Sequence, residues 1–343
     1  MTESNTASVC IVGAGSMGVI TGYHLQLAGA TVTFLVRPHR QEQLSRPQVL
    51  YSYDDQSLKT LSDYDLITDP AKLAGTSFDF LVITLDGAAL RAEAGQKLVD
   101  EMGRAFRNTP TQVILGSVGI DLRSWFLERS GLADTQVTNA VLGILVYEAQ
   151  ATTMPLHPGA KPDLLAKADY AYRHPSPFGM VVDLSAPQVA HDFTALYNRS
   201  GVSKCGIVSV DEYKLGPAYF SILAAWELLD WPAAAEISPT DETWQLGTEA
   251  MREIQRLSLY GSAGLAASQQ TNAEGVLGFF RELEENTLPL DLAAFNRYHH
   301  GGKVNSQDHK ILREALSRGE AEGAEMPALR ALIARLPSEA PQS

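Results

Sequence analysis

One stretch near the N-terminus decides the fold: Val9-Cys10-Ile11-Val12-Gly13-Ala14-Gly15-Ser16-Met17-Gly18. Its first four residues are apolar, which is typical of a buried parallel strand, and glycines follow at once. Apolar residues then recur at helical spacing over Met17–Leu27, and the β-branched run Thr31–Val36 predicts a second strand. Strand, glycine turn, helix and strand in this order predict a βαβ unit.

The glycines have the spacing G-x-G-x-x-G, and in this context each has a physical role. Gly13 permits a tight turn, Gly15 lets a pyrophosphate approach the backbone, and Gly18 lets the helix pack close to the sheet. The phosphates would sit on the N-terminus of the helix, where N–H groups and the dipole favour negative charge. We therefore predict a Rossmann-type domain whose cofactor-binding residues are Gly13, Gly15, Ser16, Met17 and Gly18.

The end of the second strand bears on the choice of cofactor. An NAD-binding domain usually has an acidic residue there, which binds the ribose hydroxyls. This strand instead ends in Val36-Arg37, and Arg40 follows closely. A guanidinium can bind a 2′-phosphate with two hydrogen bonds, so we predict NADPH as the cofactor, held in part by Arg37 and Arg40.

The pattern of predicted secondary structure changes near residue 200. Before it, strand-like and helical segments alternate, which predicts an open α/β sheet; the strand-like runs are 78–85, 112–115 and 137–147, and the helices are 87–106 and 187–199. The runs 163–172 and 179–184 predict a further small sheet. After it, nearly every segment has helical periodicity, over 210–231, 241–262, 273–285, 291–299, 308–317 and 327–335. We predict a dinucleotide-binding domain over 1–203, a helical substrate and dimerisation domain over 204–343, and a disordered tail from Pro337.

Composition excludes several functions. The net charge of −13, from 27 basic and 40 acidic residues, disfavours nucleic acid and anionic membrane as partners. The apolar runs are too short to span a bilayer, and Met1–Ser8 lacks the features of a signal peptide. The two cysteines, Cys10 and Cys205, have no zinc-binding spacing, and we expect no metal. These features predict a cytoplasmic protein.

With Ile11–Gly18, Thr31–Arg37 and Lys214-Leu215 considered together, the chain resembles the ketopantoate (2-dehydropantoate) reductase family over nearly its whole length. The resemblance implies reduction of a small 2-oxo acid or related carbonyl compound by NADPH, and a homodimer. It also implies that Lys214 acts as the acid on the substrate carbonyl, at a predicted domain junction and helix start, with Asp308 and Asn296 assisting. Asp308 is equally explained by helix N-capping or by placement in the first turn of a helix.

The chain also departs from the family pattern. Ala218 and Ile222 replace two asparagines that follow the lysine by one and two helical turns. Asp86 replaces a lysine, and Gly116-Ser117 replaces an asparagine–glycine pair. Two further functions therefore stay open, namely an imine-reducing or opine-type dehydrogenase and a non-catalytic NADP-binding regulator.

The segment His299-His300-Gly301-Gly302-Lys303 is distinctive. Adjacent histidines on a helix point about 100° apart and cannot face one metal together. The segment is either an anion-binding, substrate-facing loop or a turn with solvated histidines.

Overall fold

The computed structural model describes residues 6–337, so the predicted tail beyond Pro337 and the first five residues lie outside the described chain. The described chain forms two compact units. The first contains the residues up to Thr153 together with Pro158–Val210, and the second contains Met154–His157 together with the residues from Asp211 onward.

The first unit is built on two sheets. An eight-stranded sheet has the order β12-β11-β8-β7-β6-β1-β2-β5, and a four-stranded sheet has the order β4-β3-β10-β9. The large sheet is parallel except for the pairing of β8 with β11. The strands are β1 Ser8–Val12, β2 Thr31–Leu35, β3 Gln48–Ser52, β4 Ser57–Leu61, β5 Asp65–Ile67, β6 Phe80–Ile83, β7 Gln112–Leu115, β8 Val137–Leu142, β9 Leu145–Glu148, β10 Tyr170–Arg173, β11 Phe178–Asp183 and β12 Lys204–Val208.

Both faces of the large sheet are buried, as β1 illustrates. Because successive side chains of a strand point to opposite faces, Val9 and Ile11 join one apolar cluster while Cys10 and Val12 join another. The thiol of Cys10 is fully buried, and burial raises its pKa to about 12, so it behaves as a small apolar side chain.

Helices cover these faces and form most of the second unit. Those of the first unit are α1 Ser16–Leu27, α2 Gln41–Leu44, α3 Gly87–Arg91, α4 Glu93–Phe106, α5 Leu122–Ser130, α6 Pro162–Leu165 and α7 Pro187–Tyr197. Those that follow are α8 Val210–Lys214, α9 Phe220–Leu228, α10 Glu242–Gln255, α11 Gly261–Gln270, α12 Ala273–Thr287, α13 Leu292–Tyr298, α14 Asn305–Glu322 and α15 Pro327–Arg335. A π-helical turn, His299–Lys303, links α13 to α14.

The core of the second unit is aromatic. Trp226 and Trp244 are fully buried, and the Trp226 ring centroid lies 5.1 Å from that of Phe280 in an edge-to-face arrangement. The predicted fold class, a Rossmann-type α/β domain followed by a helical half, is confirmed.

Several predicted elements differ from the structure. The predicted strand over 137–147 is two strands in different sheets, β8 and β9, and β11 joins the large sheet rather than a small one. The predicted helix over 210–231 is broken, because Gly216-Pro217 opens a 3₁₀ turn between α8 and α9. Lys214 consequently lies in the last turn of α8 and not at a helix start.

The end of the first unit also differs from the predicted boundary at 203/204. Lys204–Val208 forms β12, which pairs with β11, so these residues belong to the first unit and the division follows Val210. Among residues 6–337, no helix combines the length and the apolar character that crossing a bilayer requires.

Candidate functional site

The glycine loop lies where the strand order of the large sheet changes direction. From β1 the chain first builds β2 and β5 on one side and then returns to build β6 and β7 on the other. Ligands of open α/β sheets bind at such a switch point, outside the carboxyl ends of the strands. The loop Gly13–Gly18 follows β1 at this edge.

The backbone of the loop requires the glycines for different reasons. Gly13 has a φ of +101°, a conformation that L residues rarely adopt. A Cβ on Gly18 would lie 2.1 Å from the carbonyl oxygen of Gly13, so only glycine allows this approach of helix and turn. A Cβ on Gly15 would meet no atom within 4 Å, so the loop faces open space at that residue. A pyrophosphate fits this cradle, with Ser16 and Met17 opening the helix beneath it.

Three hydrogen bonds fix the loop from outside. The Gly13 N–H donates to Leu35 O at 3.0 Å, and the Thr84 hydroxyl donates to Gly13 O at 3.2 Å. Arg40 donates to Ala14 O at 3.1 Å. Thr84 was not predicted as a site residue, because a threonine after a strand has no distinctive sequence signal.

The two arginines after β2 have different surroundings. Arg40 also donates to the Tyr170 hydroxyl at 3.1 Å, so much of its guanidinium is engaged by the protein. Arg37 is exposed, and its side chain makes no hydrogen bond or ion pair within residues 6–337. Arg37 therefore has its donors available for an anion, whereas Arg40 supports the loop.

The three residues predicted to act on the substrate lie on three helices, α8, α13 and α14, and differ in their exposure. Lys214 is exposed at the end of α8, and its side chain makes no hydrogen bond or ion pair to the described residues. Asn296 is 4% exposed within α13. Asp308 is 5% exposed and lies in the first turn of α14, whose N-cap is Val304, so it is not the helix cap.

Asp308 has a histidine partner that was not predicted. Its Oδ2 lies 2.7 Å from His300 Nδ1. Burial raises the pKa of the Asp308 carboxyl, and the hydrogen bond with His300 opposes this rise. The neighbouring His299 stacks on Phe295, and burial lowers its pKa to about 3. Neither histidine is therefore the solvated side chain considered from the sequence.

His300 and Asp308 line a small pocket of about 10 Å³ in the second unit, which is room for about one water molecule. A second acid–histidine pair, Glu227 and His309, also lines it, with Oε2 and Nε2 2.7 Å apart. Lys214 and Asn296 are not among the lining residues, which are Phe220, Leu223, Ala224, Glu227, Trp231, His300, Asp308, His309 and Leu312. In the described part of the chain, no three His, Cys, Asp or Glu residues form a group that could hold a metal ion.

The positions that depart from the family pattern have structural roles here. Ala218 and Ile222 are fully buried in the core of the second unit. Asp86 caps α3 by accepting a hydrogen bond from Ala89 N at 2.6 Å, and the Ser117 hydroxyl donates to Leu85 O at 2.6 Å.

Comparisons with known proteins agree with this architecture. The family model described as ketopantoate reductase PanE/ApbA matches residues 9–94, which include the glycine loop and Arg37. The predicted resemblance to ketopantoate reductases is confirmed. Members of that family are oxidoreductases acting on a CH–OH or carbonyl group, and the predicted enzyme class is confirmed at this level. No curated protein matches the sequence.

Solved structures share the fold over nearly the whole chain. The 2-dehydropantoate 2-reductase of Geobacter metallireducens is 16% identical, with a TM-score of 0.63 and coverage of 96% of this chain and 98% of that one. That of Methylococcus capsulatus is 13% identical, with a TM-score of 0.66 and coverage of 95% and 94%.

A third neighbour was solved with a cofactor. A D-mandelate dehydrogenase, whose structure contains NADH and anilino(oxo)acetate, is 13% identical, with a TM-score of 0.59 and coverage of 96% of each chain. At this identity the likeness is one of fold.

Proposed function

We propose that this protein reduces a small 2-oxo acid or related carbonyl compound with NADPH. The observation that carries the proposal is the glycine loop, which places an open cradle at Gly15 on the switch point of the sheet. A reduced nicotinamide bound there would supply the hydride. The chain itself must bind the substrate and supply the proton that the carbonyl oxygen takes up.

The preference for NADPH over NADH rests on Arg37. Its exposed guanidinium follows β2, where a cofactor's 2′-phosphate would lie, and no described residue engages its donors. Arg40 contributes indirectly, because its hydrogen bond to Ala14 O supports the loop that receives the pyrophosphate.

At the substrate end we propose Lys214, Asp308 and Asn296 as the catalytic residues. The exposed Lys214 ammonium can donate a hydrogen bond to a carbonyl oxygen and stabilise the alkoxide that forms there. Asn296 is nearly buried and its side-chain amide makes no hydrogen bond to another described residue, so it can bind a polar group of the substrate. Asp308 would act from the pocket that it lines.

Imine reduction is the second candidate. Since Ala218 and Ile222 are core residues, they offer no polar group for the carboxylate and hydroxyl of a keto acid. An imine, or a substrate with fewer polar groups than ketopantoate, would not need the two polar side chains that are missing at these positions.

One screen tests the proposal. The oxidation of NADPH is followed with a panel of 2-oxo acids and ketones, each in the presence and in the absence of an amine. Turnover without amine supports carbonyl reduction, and turnover only with amine supports imine reduction. NADPH binding without turnover would favour the regulator.

We also propose a cytoplasmic homodimer. Helical second domains of this type often pair, and light scattering of the purified protein tests the dimer directly. A mass corresponding to one chain would contradict it.

A further inference from the structure

The four-stranded sheet of the first unit is joined to the cofactor loop through one side chain, that of Arg40. Arg40 ends the 3₁₀ turn Pro38–Arg40, which follows β2. Its Nη2 donates to Ala14 O and to the Tyr170 hydroxyl, each at 3.1 Å. Ala14 belongs to the glycine loop, and Tyr170 is the first residue of β10. Both hydrogens of one nitrogen therefore link the loop to a strand of a different sheet.

Two neighbouring residues of that sheet hold the guanidinium. Tyr170 and Glu148 are directly opposite each other in the antiparallel pairing of β10 with β9. Directly opposite residues share one face of a sheet. The Glu148 carboxylate lies 4.0 Å from Arg40 Nη1 in a partly exposed ion pair. Both terminal nitrogens of Arg40 are thus oriented by one pair of opposite residues.

The Tyr170 hydroxyl is a neutral partner for the guanidinium. Tyr170 is fully buried, and burial raises the pKa of its hydroxyl to about 12, so the hydroxyl keeps its proton near pH 7. A hydrogen bond with a charged donor stabilises more than one between neutral groups. Without this hydroxyl, one Nη2 hydrogen would have no partner, and the guanidinium could turn away from Ala14 O.

The hydrogen bond to Ala14 O fixes the direction of a backbone donor. Ala14 O and the Gly15 N–H belong to one peptide unit, which is planar and trans, so they point in opposite directions. Gly15 is exposed, and its N–H makes no hydrogen bond within residues 6–337. With the oxygen turned to Arg40, the N–H is turned away from it and is left for a ligand.

The charge of Arg40 also strengthens this donor. Hydrogen bonds that share a peptide unit polarise one another, so a cation at the oxygen makes the N–H a better donor. Gly15 is the N-cap of α1. Backbone N–H groups at a helix N-terminus are the groups that bind phosphates, and the Gly15 N–H is therefore a donor for the pyrophosphate.

We propose that Tyr170 is a positioning residue for the dinucleotide, assisted by Glu148. Acting through Arg40, it holds the Ala14–Gly15 peptide with its N–H directed at the pyrophosphate. The inference rests on the proposed function and deepens it. Because NADPH and NADH contain the same pyrophosphate, this contact serves both equally. The two arginines then have different roles: Arg37 distinguishes the cofactors by the 2′-phosphate, and Arg40 sets the affinity that they share.

Titration with both cofactors tests the proposal. Tyr170→Phe should raise the Kd of NADPH and that of NADH by the same factor, about threefold to tenfold, because Arg40 loses one hydrogen bond. Arg40→Ala should raise both Kd values by about tenfold or more, again by one factor. Arg37→Ala should mainly weaken NADPH. The matched control is Tyr53→Phe, at another buried tyrosine, whose hydroxyl bonds that of Tyr147 at 2.7 Å; it should leave both Kd values unchanged.

A double variant separates positioning from a general loss of structure. If Tyr170 acts only through Arg40, the combination of Arg40→Ala with Tyr170→Phe should bind both cofactors as weakly as Arg40→Ala alone. Urea unfolding of each variant ensures that folded protein is titrated. With the carbonyl compound that the screen finds to be reduced fastest, Tyr170→Phe should raise KM for NADPH, whereas kcat should change by less than about twofold, because the contact is made equally before and during the reaction.

Three results would overturn the inference while the proposed function stands. They are wild-type Kd values in Tyr170→Phe, an effect on NADPH alone, and effects that multiply in the double variant. Binding of the cofactors without turnover in the screen would contradict the reductase, and the titrations would still decide the role of Tyr170. A wild-type protein that binds neither cofactor would overturn both.

Discussion

Arg37 is the single residue on which the choice between NADPH and NADH depends. We expect NADPH to bind at least about tenfold more tightly than NADH. Arg37→Ala should remove most of this difference, since the lost charged hydrogen bonds are worth roughly 1.5–3 kcal/mol. Fluorescence titration with both cofactors measures the effect, and Arg199→Ala, at another exposed arginine of the same unit, is the control. Equal affinities in the wild type would contradict the prediction.

Two glycines of one loop should respond to substitution in opposite ways. Gly15→Val should abolish NADPH binding and leave the free energy of unfolding nearly unchanged, because its side chain enters open space that the pyrophosphate needs. Gly18→Ala should instead lower the free energy of unfolding by about 1–3 kcal/mol, because its Cβ meets Gly13 O. Urea unfolding and cofactor titration of both variants check the contrast. Normal NADPH binding by Gly15→Val would exclude the loop as the phosphate site.

Lys214 should matter for turnover and not for cofactor binding. Lys214→Ala should lower kcat by about 10²-fold or more, which corresponds to roughly 3 kcal/mol of transition-state stabilisation. Lys214→Arg should recover little of the loss, because an arginine cannot give up a proton near neutral pH. Steady-state kinetics of both variants measure the effect, and a near-normal kcat in Lys214→Ala would remove Lys214 from the mechanism.

At the scale of elements, a buried imidazole joins α1 and α7. Its titration should be visible in the pH dependence of the free energy of unfolding. His24 of α1 lies 2.7 Å from the Tyr197 hydroxyl of α7 and stacks on His174 at 5.1 Å. Burial, assisted by His174, lowers the pKa of His24 to about 3. A histidine whose pKa is lowered on folding contributes stability above its unfolded pKa near 6.5, and this stability is lost as pH falls from there towards 3.

The prediction concerns the slope of stability against pH. Between pH 6.5 and pH 5 the wild type should lose about 2 kcal/mol of unfolding free energy through His24 alone, at roughly 1.4 kcal/mol per pH unit. His24→Gln should lack this slope, whatever its stability at pH 7.5, and the exposed His191→Gln should keep it. Urea unfolding at several pH values measures the slopes. Coincident slopes for the wild type and His24→Gln would show that the imidazole is not buried in its neutral form.

Helices and strands could be predicted where burial gives their apolar residues a regular spacing. The βαβ unit around Gly13 was predicted because β1 and β2 are buried on both faces and α1 follows a glycine turn. The strands β3, β4 and β5 were not predicted. Of these, β4 and β5 are only partly buried, so their side chains carry no clear apolar period. Gly216-Pro217 indicates that the helix breaks after Lys214. The helical periodicity of the residues on both sides obscured this indication.

At the scale of the whole molecule, the order of an α/β half followed by a helical half could be predicted, and the solved structures share it. The division between the halves could not be placed correctly, because pairing with β11 is what assigns Lys204–Val208 to the first unit, and pairing is not visible in a single strand's sequence. The hydrogen bond between His300 and Asp308 was not predicted for a related reason. Eight residues along a regular helix span about 12 Å, and only the π-helical turn brings the two side chains together.

The fixed glycine loop has a thermodynamic consequence. Its turn is tied to β2 through Leu35 O, to the residue after β6 through the Thr84 hydroxyl, and to Arg40 through Ala14 O. A loop that folding has already immobilised loses little further conformational entropy when a dinucleotide arrives. The favourable enthalpy of the phosphate contacts is then available for affinity and is not consumed in ordering the receptor.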